Sequence, residues 1–111
     1  MSYLDDLPRF YKLTLVVERV LEERILRELR ELRAPGWTVV EVHGEGRSGI
    51  RASEFEGKSL KFESICNAAT AERILRRMSE RYLGRYSAIA YAEEVRVLRP
   101  APFSDPAPPT P

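Results

Sequence analysis

The sequence predicts an α+β sandwich whose elements follow the order βαββαβ. Three observations support this: two segments with helical apolar stripes, four strand-like segments, and a length of 111 residues that suits one domain with one core. The chain is 43% hydrophobic and 32% charged, which is typical of globular proteins. A formal charge of +1 gives no long-range attraction to nucleic acid, and no apolar stretch is long enough to insert into a membrane.

The first half of the domain changes from a strand pattern to a helix pattern. Residues 11–18 alternate, with Leu13, Leu15 and Val17 on one side, which predicts a strand. From residue 20 to residue 33 the apolar residues recur with a helical period. The apolar stripe of this helix consists of Leu21, Ile25, Leu29 and Leu32. Pro35 and Gly36 are expected to end it.

The second half of the domain again contains a strand followed by a helix, and one more strand stands on each side of this pair. The predicted elements are a strand over 37–43, a strand over Ser59–Cys66, a helix over 69–83 and a strand over 87–92. The apolar stripe of the second helix consists of Ala71, Ile74, Leu75, Met78 and Tyr82. Residues 95–98 are either a short fifth strand or an extension of the fourth.

This order of elements predicts a ferredoxin-like sandwich in which both helices cover one face of a four-stranded sheet. The other face then carries apolar side chains with no helix above them, so we expect an oligomer. Residues 1–10 are expected to form a loose N-terminal arm. The proline-rich residues 100–111 are expected to be a disordered or extended tail, with neither helix nor sheet.

A glycine-punctuated loop over residues 44–58 joins the second and third strands and is longer than an ordinary hairpin connection. Glycines allow backbone N–H groups to approach a ligand closely, and the neighbouring Arg47, Ser48 and Arg51 can bind charged oxygens. A flexible, solvated loop is an equally good interpretation of the glycine content alone.

Other chemistries have weaker support in the sequence. His43 is the only histidine and Cys66 the only cysteine, so we expect no metal site and no disulfide, and cysteine usage indicates a cytoplasmic protein. No nucleophile and base stand at a recognisable spacing, so no catalytic residue is assigned and the protein is not expected to be an enzyme. An RNA-recognition module would need a basic and aromatic third strand, whereas this strand contains Glu63 and a single aromatic residue.

Specific motifs resemble the PII signal-transduction family over residues 11–99. The run from Pro35 to Arg47, PGWTVVEVHGEGR, is similar to the second strand of that family and the entrance to its T-loop, which here spans residues 44–58. Lys61-Phe62-Glu63 and Val95-Arg96-Val97 are similar to its next and closing strands.

The resemblance implies a ferredoxin-like homotrimer that binds an adenine nucleotide in the clefts between subunits. Gly36 and Thr38 would line the adenine side, Glu63 would lie near the adenine, and Arg96 would reach phosphate across the cleft. Gly44, Glu45, Gly46 and Arg47 would face the phosphates.

Two departures indicate which branch of the family is most similar. Ala88 stands where nitrogen regulators carry a phosphate-binding lysine, and Phe55 is the only aromatic residue of the loop, so the modified tyrosine is missing. The runs 46–51 and 86–89 are most similar to the carboxysome-associated PII-like protein of inorganic-carbon uptake. That similarity implies a bicarbonate site. Its expected residues are Gly46, Arg47, Ser48 and Arg51.

The leading hypothesis is a non-catalytic cytoplasmic sensor of ADP or AMP, with ATP as a further candidate, together with bicarbonate. It has no prosthetic group, and its T-loop would regulate a bicarbonate transporter at the membrane or act near the carboxysome. The alternatives are a conventional PII regulator that binds ATP and 2-oxoglutarate, and a slow nucleotide hydrolase on the same fold.

Overall fold

The computed structural model describes residues 2–44 and 58–104, and their elements follow the predicted order βαββαβ. The elements are β1 (Arg9–Glu18), α1 (Glu22–Glu31), β2 (Thr38–Val42), β3 (Ser59–Cys66), α2 (Ala68–Arg81), β4 (Ala88–Arg96) and a short α3 (Ala101–Ser104). Single 3-10 turns cover Leu4–Asp6 and Arg19–Leu21. None of these helices has the length and apolarity that crossing a membrane requires.

The four strands form one antiparallel sheet in the order β2-β3-β1-β4. This order is the one expected of a ferredoxin-like sandwich, in which each helix connects two strands that are not neighbours. Residues 95 and 96 continue β4, so the alternative of a separate fifth strand is wrong for these residues. β3 has the predicted bounds.

The core lies between the sheet and the helices, as the apolar stripes predicted. Leu13, Leu15 and Val17 of β1 are almost completely buried beside Phe62 of β3. The helices contribute the buried side chains of Leu21, Ile25, Leu29, Ala71, Ile74, Met78 and Tyr82. Leu32 and Leu75 complete the stripes from half-buried positions against the same core.

Helix α1 ends earlier than the Pro35-Gly36 pair predicted. The N–H of Arg33 donates to the carbonyl of Arg30 at 3.1 Å, and the N–H of Ala34 donates to the carbonyl of Leu29 at 2.9 Å. Arg33 has a φ of 63°, so these bonds form a Schellman motif with an arginine in the left-handed position that glycine usually occupies. The helix therefore ends through its own backbone bonds before the proline is reached.

The expected open face of the sheet is present. Val40, Ile89 and Tyr91 point away from the helices and keep 43%, 54% and 47% of their surface exposed. Val16 and Ile65, on the two central strands, lie on the same face because side chains alternate along a strand. We call this surface the open face.

The segments that flank the domain are more structured than the sequence predicted. Strand β1 already includes Arg9, and the N–H of Val97 donates to the carbonyl of Pro8 at 3.0 Å. The prediction of no helix after residue 100 is wrong for α3, where the Phe103 ring meets Phe10 edge to face with centroids 6.1 Å apart. Prolines are tolerated in a first helical turn because their missing N–H would have no partner there. The rest of the predicted tail, 105–111, lies outside the described residues.

A buried carboxylate joins the two main helices. Glu28 of α1 is only 5% exposed and accepts hydrogen bonds from Arg77 at 2.6 Å, Arg81 at 3.1 Å and the Tyr82 hydroxyl at 2.9 Å. We call these four residues the Glu28 cluster. Burial raises the pKa of the Glu28 carboxyl, but the hydrogen bonds from Arg77 and Tyr82 and the nearby positive charges outweigh burial and leave the pKa below its usual value of 4.5.

The Glu28 cluster gives a prediction about stability and pH. Because the pKa of Glu28 is lower in the folded than in the unfolded chain, its contribution is present above pH 4.5 and is lost as the pH falls below that value. Glu28→Gln keeps the shape but removes the charge, so we expect the free energy of unfolding at pH 7 to fall by about 1–3 kcal/mol. Denaturant titrations at pH 7 and in the acid range measure both effects.

The matched control is Glu72→Gln. Glu72 is also a helical glutamate bonded to an arginine, Arg76, but its side chain is 70% exposed, so its loss should change stability by less than about 0.5 kcal/mol. Equal effects of the two substitutions would contradict the role given to Glu28.

Candidate functional site

All four strands have one terminus at the same end of the sheet. Val42 lies opposite Ser59, Ser59 lies opposite Glu18, and Val17 lies opposite Ala88. β1 and β2 therefore end where β3 and β4 begin. We call this end of the sheet the T-loop root, because the connection from β2 to β3 leaves and returns here.

The T-loop root carries a small network of opposite charges. The Glu41 carboxylate lies 3.2 Å from a guanidinium nitrogen of Arg19 and 3.5 Å from the Lys58 ammonium. These side chains are between 41% and 47% exposed, so the pairs add little stability. Their effect is to orient both ends of the loop relative to the corner between β1 and α1.

A second carboxylate at the root binds the turn before β4. Glu18 is 8% exposed, and its Oε2 accepts a hydrogen bond from the backbone N–H of Ser87 at 3.0 Å. The next residue, Ala88, packs against the core and offers no polar group. No sequence motif marks Glu18. The signal that could have found it is its place directly after residues 13–17, which are all apolar or β-branched.

A polar row crosses the open face. Thr38, Glu63, Thr14 and Tyr91 stand side by side in register on β2, β3, β1 and β4. The Glu63 carboxylate lies 3.2 Å from the Lys61 ammonium. The Thr14 hydroxyl is buried and has no hydrogen-bond partner among residues 2–44 and 58–104. With Val40, Ile65 and Ile89 beside it, this row can bind the polar edge of a flat apolar ligand.

The structure brings three of the predicted adenine-side residues together. Thr38 pairs directly with Glu63, and the hydroxyl of the adjacent Ser64 donates to the carbonyl of Gly36 at 2.6 Å. Gly44 lies further along the same chain at the T-loop root. The remaining loop residues predicted to bind ligand, Glu45, Gly46, Arg47, Ser48 and Arg51, lie outside the described residues, as does Phe55.

Arg96 lies at the opposite end of the sheet. It pairs with Arg9, the first residue of β1, so the length of that strand, about 30 Å, separates it from the T-loop root. Its guanidinium donates to the carbonyls of Asp5 at 3.1 Å and Leu7 at 2.7 Å and so fastens the N-terminal arm. Within one subunit Arg96 therefore lies far from Gly44, the described member of the other predicted phosphate residues.

Metal and thiol chemistry have no geometric support in the described part of the chain. Within it, no three histidine, cysteine or acidic side chains lie close enough to hold a metal ion, and His43 is exposed. Burial raises the pKa of the Cys66 thiol to about 11, although Arg73 partly opposes the shift. This cysteine therefore stays protonated and unreactive at neutral pH.

Solved structures share this architecture. A protein from Thermus thermophilus described as PII-like is 38% identical, with a TM-score of 0.76 over 89% of this chain and 99% of that one. CPII from Thiomonas intermedia, solved with ADP and bicarbonate, is 18% identical, with a TM-score of 0.75 over 89% of this chain and 98% of that one. CPII solved with ADP, AMP and acetate is 19% identical, with a TM-score of 0.75 over 88% and 97% of the two chains.

A family model gives the assignment. The model described as nitrogen regulatory protein P-II matches residues 10–102, which include α1, α2, all four strands except the first residue of β1, and the segment that contains the T-loop. The chain therefore belongs to the P-II family.

Proposed function

We propose that this protein is a non-catalytic P-II-type sensor that binds ADP or AMP together with bicarbonate and regulates inorganic-carbon uptake through its T-loop. The observation that carries the proposal is the pairing of Thr38 with Glu63 on the open face. A carboxylate there can accept a hydrogen bond from the amino group of an adenine, while neighbouring apolar residues contact the ring. CPII, which shares the fold, has been solved with ADP and bicarbonate, and this supports the choice of ligands.

The bicarbonate part of the proposal rests on the loop sequence. Arg47 and Arg51 supply guanidinium groups that match a planar oxyanion, and Gly46 and Ser48 supply backbone and hydroxyl donors. The loop leaves from the root where Glu41 holds Arg19 and Lys58. Ligand bound there would order the loop and change its contact with a partner, for which we propose a bicarbonate transporter.

The nucleotide site is completed by a homotrimer in this proposal. The open face leaves Val40, Ile89 and Tyr91 in water in a single chain, and association would bury them. A neighbouring subunit would also bring its Arg96 to the phosphates, which the same subunit's Arg96 cannot reach. The protein would act in the cytoplasm, at the membrane transporter or near carboxysomes.

The first prediction from the proposed function concerns coupling between the two ligands. Bicarbonate should tighten ADP binding by a factor of about 5 to 150, the usual range for coupled sites, and ADP should tighten bicarbonate binding by the same factor. Calorimetric titration of the full chain with ADP, with and without bicarbonate, measures this. Arg47→Ala should remove the coupling, whereas Arg76→Ala, an exposed helical arginine, should keep it.

An ADP affinity that does not change with bicarbonate would show the coupling to be wrong. Tight binding of 2-oxoglutarate with ATP would instead favour a conventional nitrogen regulator. Release of phosphate from ATP or ADP by the pure protein, lost in Arg47→Ala, would favour the hydrolase.

The second prediction concerns Glu63. Glu63→Gln keeps the size of the side chain but weakens a charge-assisted hydrogen bond to the adenine, so ADP affinity should fall about tenfold. The control is Glu93→Gln, because Glu93 is also a carboxylate on the open face and lies 3.0 Å from Lys12. If the two variants bind ADP equally well, Glu63 is not an adenine contact.

The third prediction concerns assembly. The wild-type protein should have about three times the 12.8 kDa mass of one chain in light scattering after gel filtration. Ile89→Lys with Tyr91→Lys places charges on the open face and should give single chains that no longer bind ADP. Leu98→Lys adds charge at a residue that is 67% exposed beyond β4 and should remain trimeric. A monomeric wild type that binds ADP would contradict the trimer.

A further inference from the structure

A cleft rich in arginine lies on the helix layer, on the other side of the sheet from the open face. It has a volume of about 470 Å³ and lies between α1 and the turn that leads from α2 into β4. Arg24 and Arg27 line it from α1, Arg81 from the end of α2, and Arg85 from the turn. We call this site the arginine cleft. None of the described residues assigned to the nucleotide site lines it.

The floor of the cleft is built by the Glu28 cluster. Arg81 bonds Glu28 through one guanidinium nitrogen at 3.1 Å and leaves its other donors available, with 53% of its side chain exposed. The Tyr82 hydroxyl also bonds Glu28, at 2.9 Å. The buried carboxylate therefore fixes one arginine of the cleft before any ligand is present.

A tyrosine fixes a second arginine. Arg24 donates to the hydroxyl of Tyr86 at 3.0 Å, and the Tyr86 ring lies 6.0 Å from that of Tyr82. The N–H groups of Arg85 and Tyr86 both donate to the carbonyl of Tyr82 at 3.0 Å, which sets the shape of the turn. The Tyr86 hydroxyl accepts from Arg24 and keeps its own proton to donate to a ligand.

Two further arginines have side chains without a partner within the described residues. The guanidinium groups of Arg27 and Arg85 make no hydrogen bond or ion pair among residues 2–44 and 58–104, although both residues line the cleft. Glu31 and Glu80 also line it, and Glu31 lies 3.4 Å from Arg77. Four arginines and three glutamates therefore line the cleft, which gives a net formal charge of +1, and Arg77, which pairs with Glu28 and Glu31, raises it to +2.

We propose that the arginine cleft binds a small anion with two or more negative charges, carried by phosphate or carboxylate groups. Guanidinium groups bind such oxygens in pairs, and the volume suits a small molecule. Two of the guanidinium groups are already oriented by Glu28 and Tyr86, so binding orders fewer side chains than it would on an ordinary charged surface.

The position of the cleft connects it to the T-loop root. Arg85 and Tyr86 line the cleft, and the N–H of the next residue, Ser87, bonds Glu18 at the root. An anion that draws Arg85 and Tyr86 inward acts on the same short turn. The cleft is therefore placed to report a second metabolite to the sensor, and the binding claim itself does not depend on the proposed function.

The test uses inorganic pyrophosphate and citrate as probes of the full chain at low ionic strength, measured by calorimetry without nucleotide. Both probes should bind if the cleft recognises charge alone. Only pyrophosphate should bind if the cleft selects phosphate groups, and only citrate if it selects carboxylates.

Arg24→Ala with Arg27→Ala should weaken binding about tenfold or more, because both guanidinium groups are lost while alanine suits the helix. The control, Arg9→Ala with Arg76→Ala, removes the same charge elsewhere and should bind like wild type.

Two further variants separate this site from the others. Arg27→Ala with Arg85→Ala removes only arginines without partners in the described residues, so it should fold normally and also lose binding. Arg47→Ala alters the proposed bicarbonate site and should leave probe binding unchanged. The proposal is overturned if neither probe binds, if both cleft variants bind like wild type, or if Arg47→Ala alone abolishes binding.

Discussion

The buried charge of Glu28 is the constraint on which the arrangement of the helix layer depends. A carboxylate that is 5% exposed is tolerable only if opposite charge and hydrogen bonds surround it. Arg77, Arg81 and Tyr82 meet that requirement from the last turns of α2. Sliding α1 along α2 would leave this charge without partners, so the cluster fixes the relative position of the helices more specifically than apolar packing can.

That position is transmitted to the sheet through a short turn. Tyr82 bonds Glu28, and its carbonyl accepts two N–H groups from the turn that ends at Ser87. Ser87 in turn bonds Glu18 at the end of β1, one register position from the start of β4. Hydrogen bonds at both ends of one short turn thus join the helix layer to the T-loop root. This gives a physical route by which events at one surface can bias the other.

The sequence predicted those features that depend on local patterning. β3 was predicted to the residue because its inward side chains alternate without interruption, and the open face followed from the order of elements alone.

Glu28 was not predicted, because in a helix with many charges a buried glutamate looks like a solvated one. Arg96 resembled a phosphate ligand by motif, but only the register shows how far it lies from the T-loop root in the same subunit. The helix at residues 101–104 depends on the contact of Phe103 with Phe10, which no local pattern records.

The charges at the T-loop root also bear on which nucleotide the proposed site would prefer. The N–H of Ser87 is already bonded to the carboxylate of Glu18, so a phosphate that needed this donor would have to displace a negative charge. Ala88 packs against the core and supplies no compensating ammonium. Each additional phosphate would therefore bring more negative charge beside the Glu18 carboxylate, and the turn before β4 supplies no lysine to offset it. In the proposed site this balance would favour ADP or AMP over ATP, and the choice would depend on Glu18 at the end of β1 and Ala88 at the start of β4.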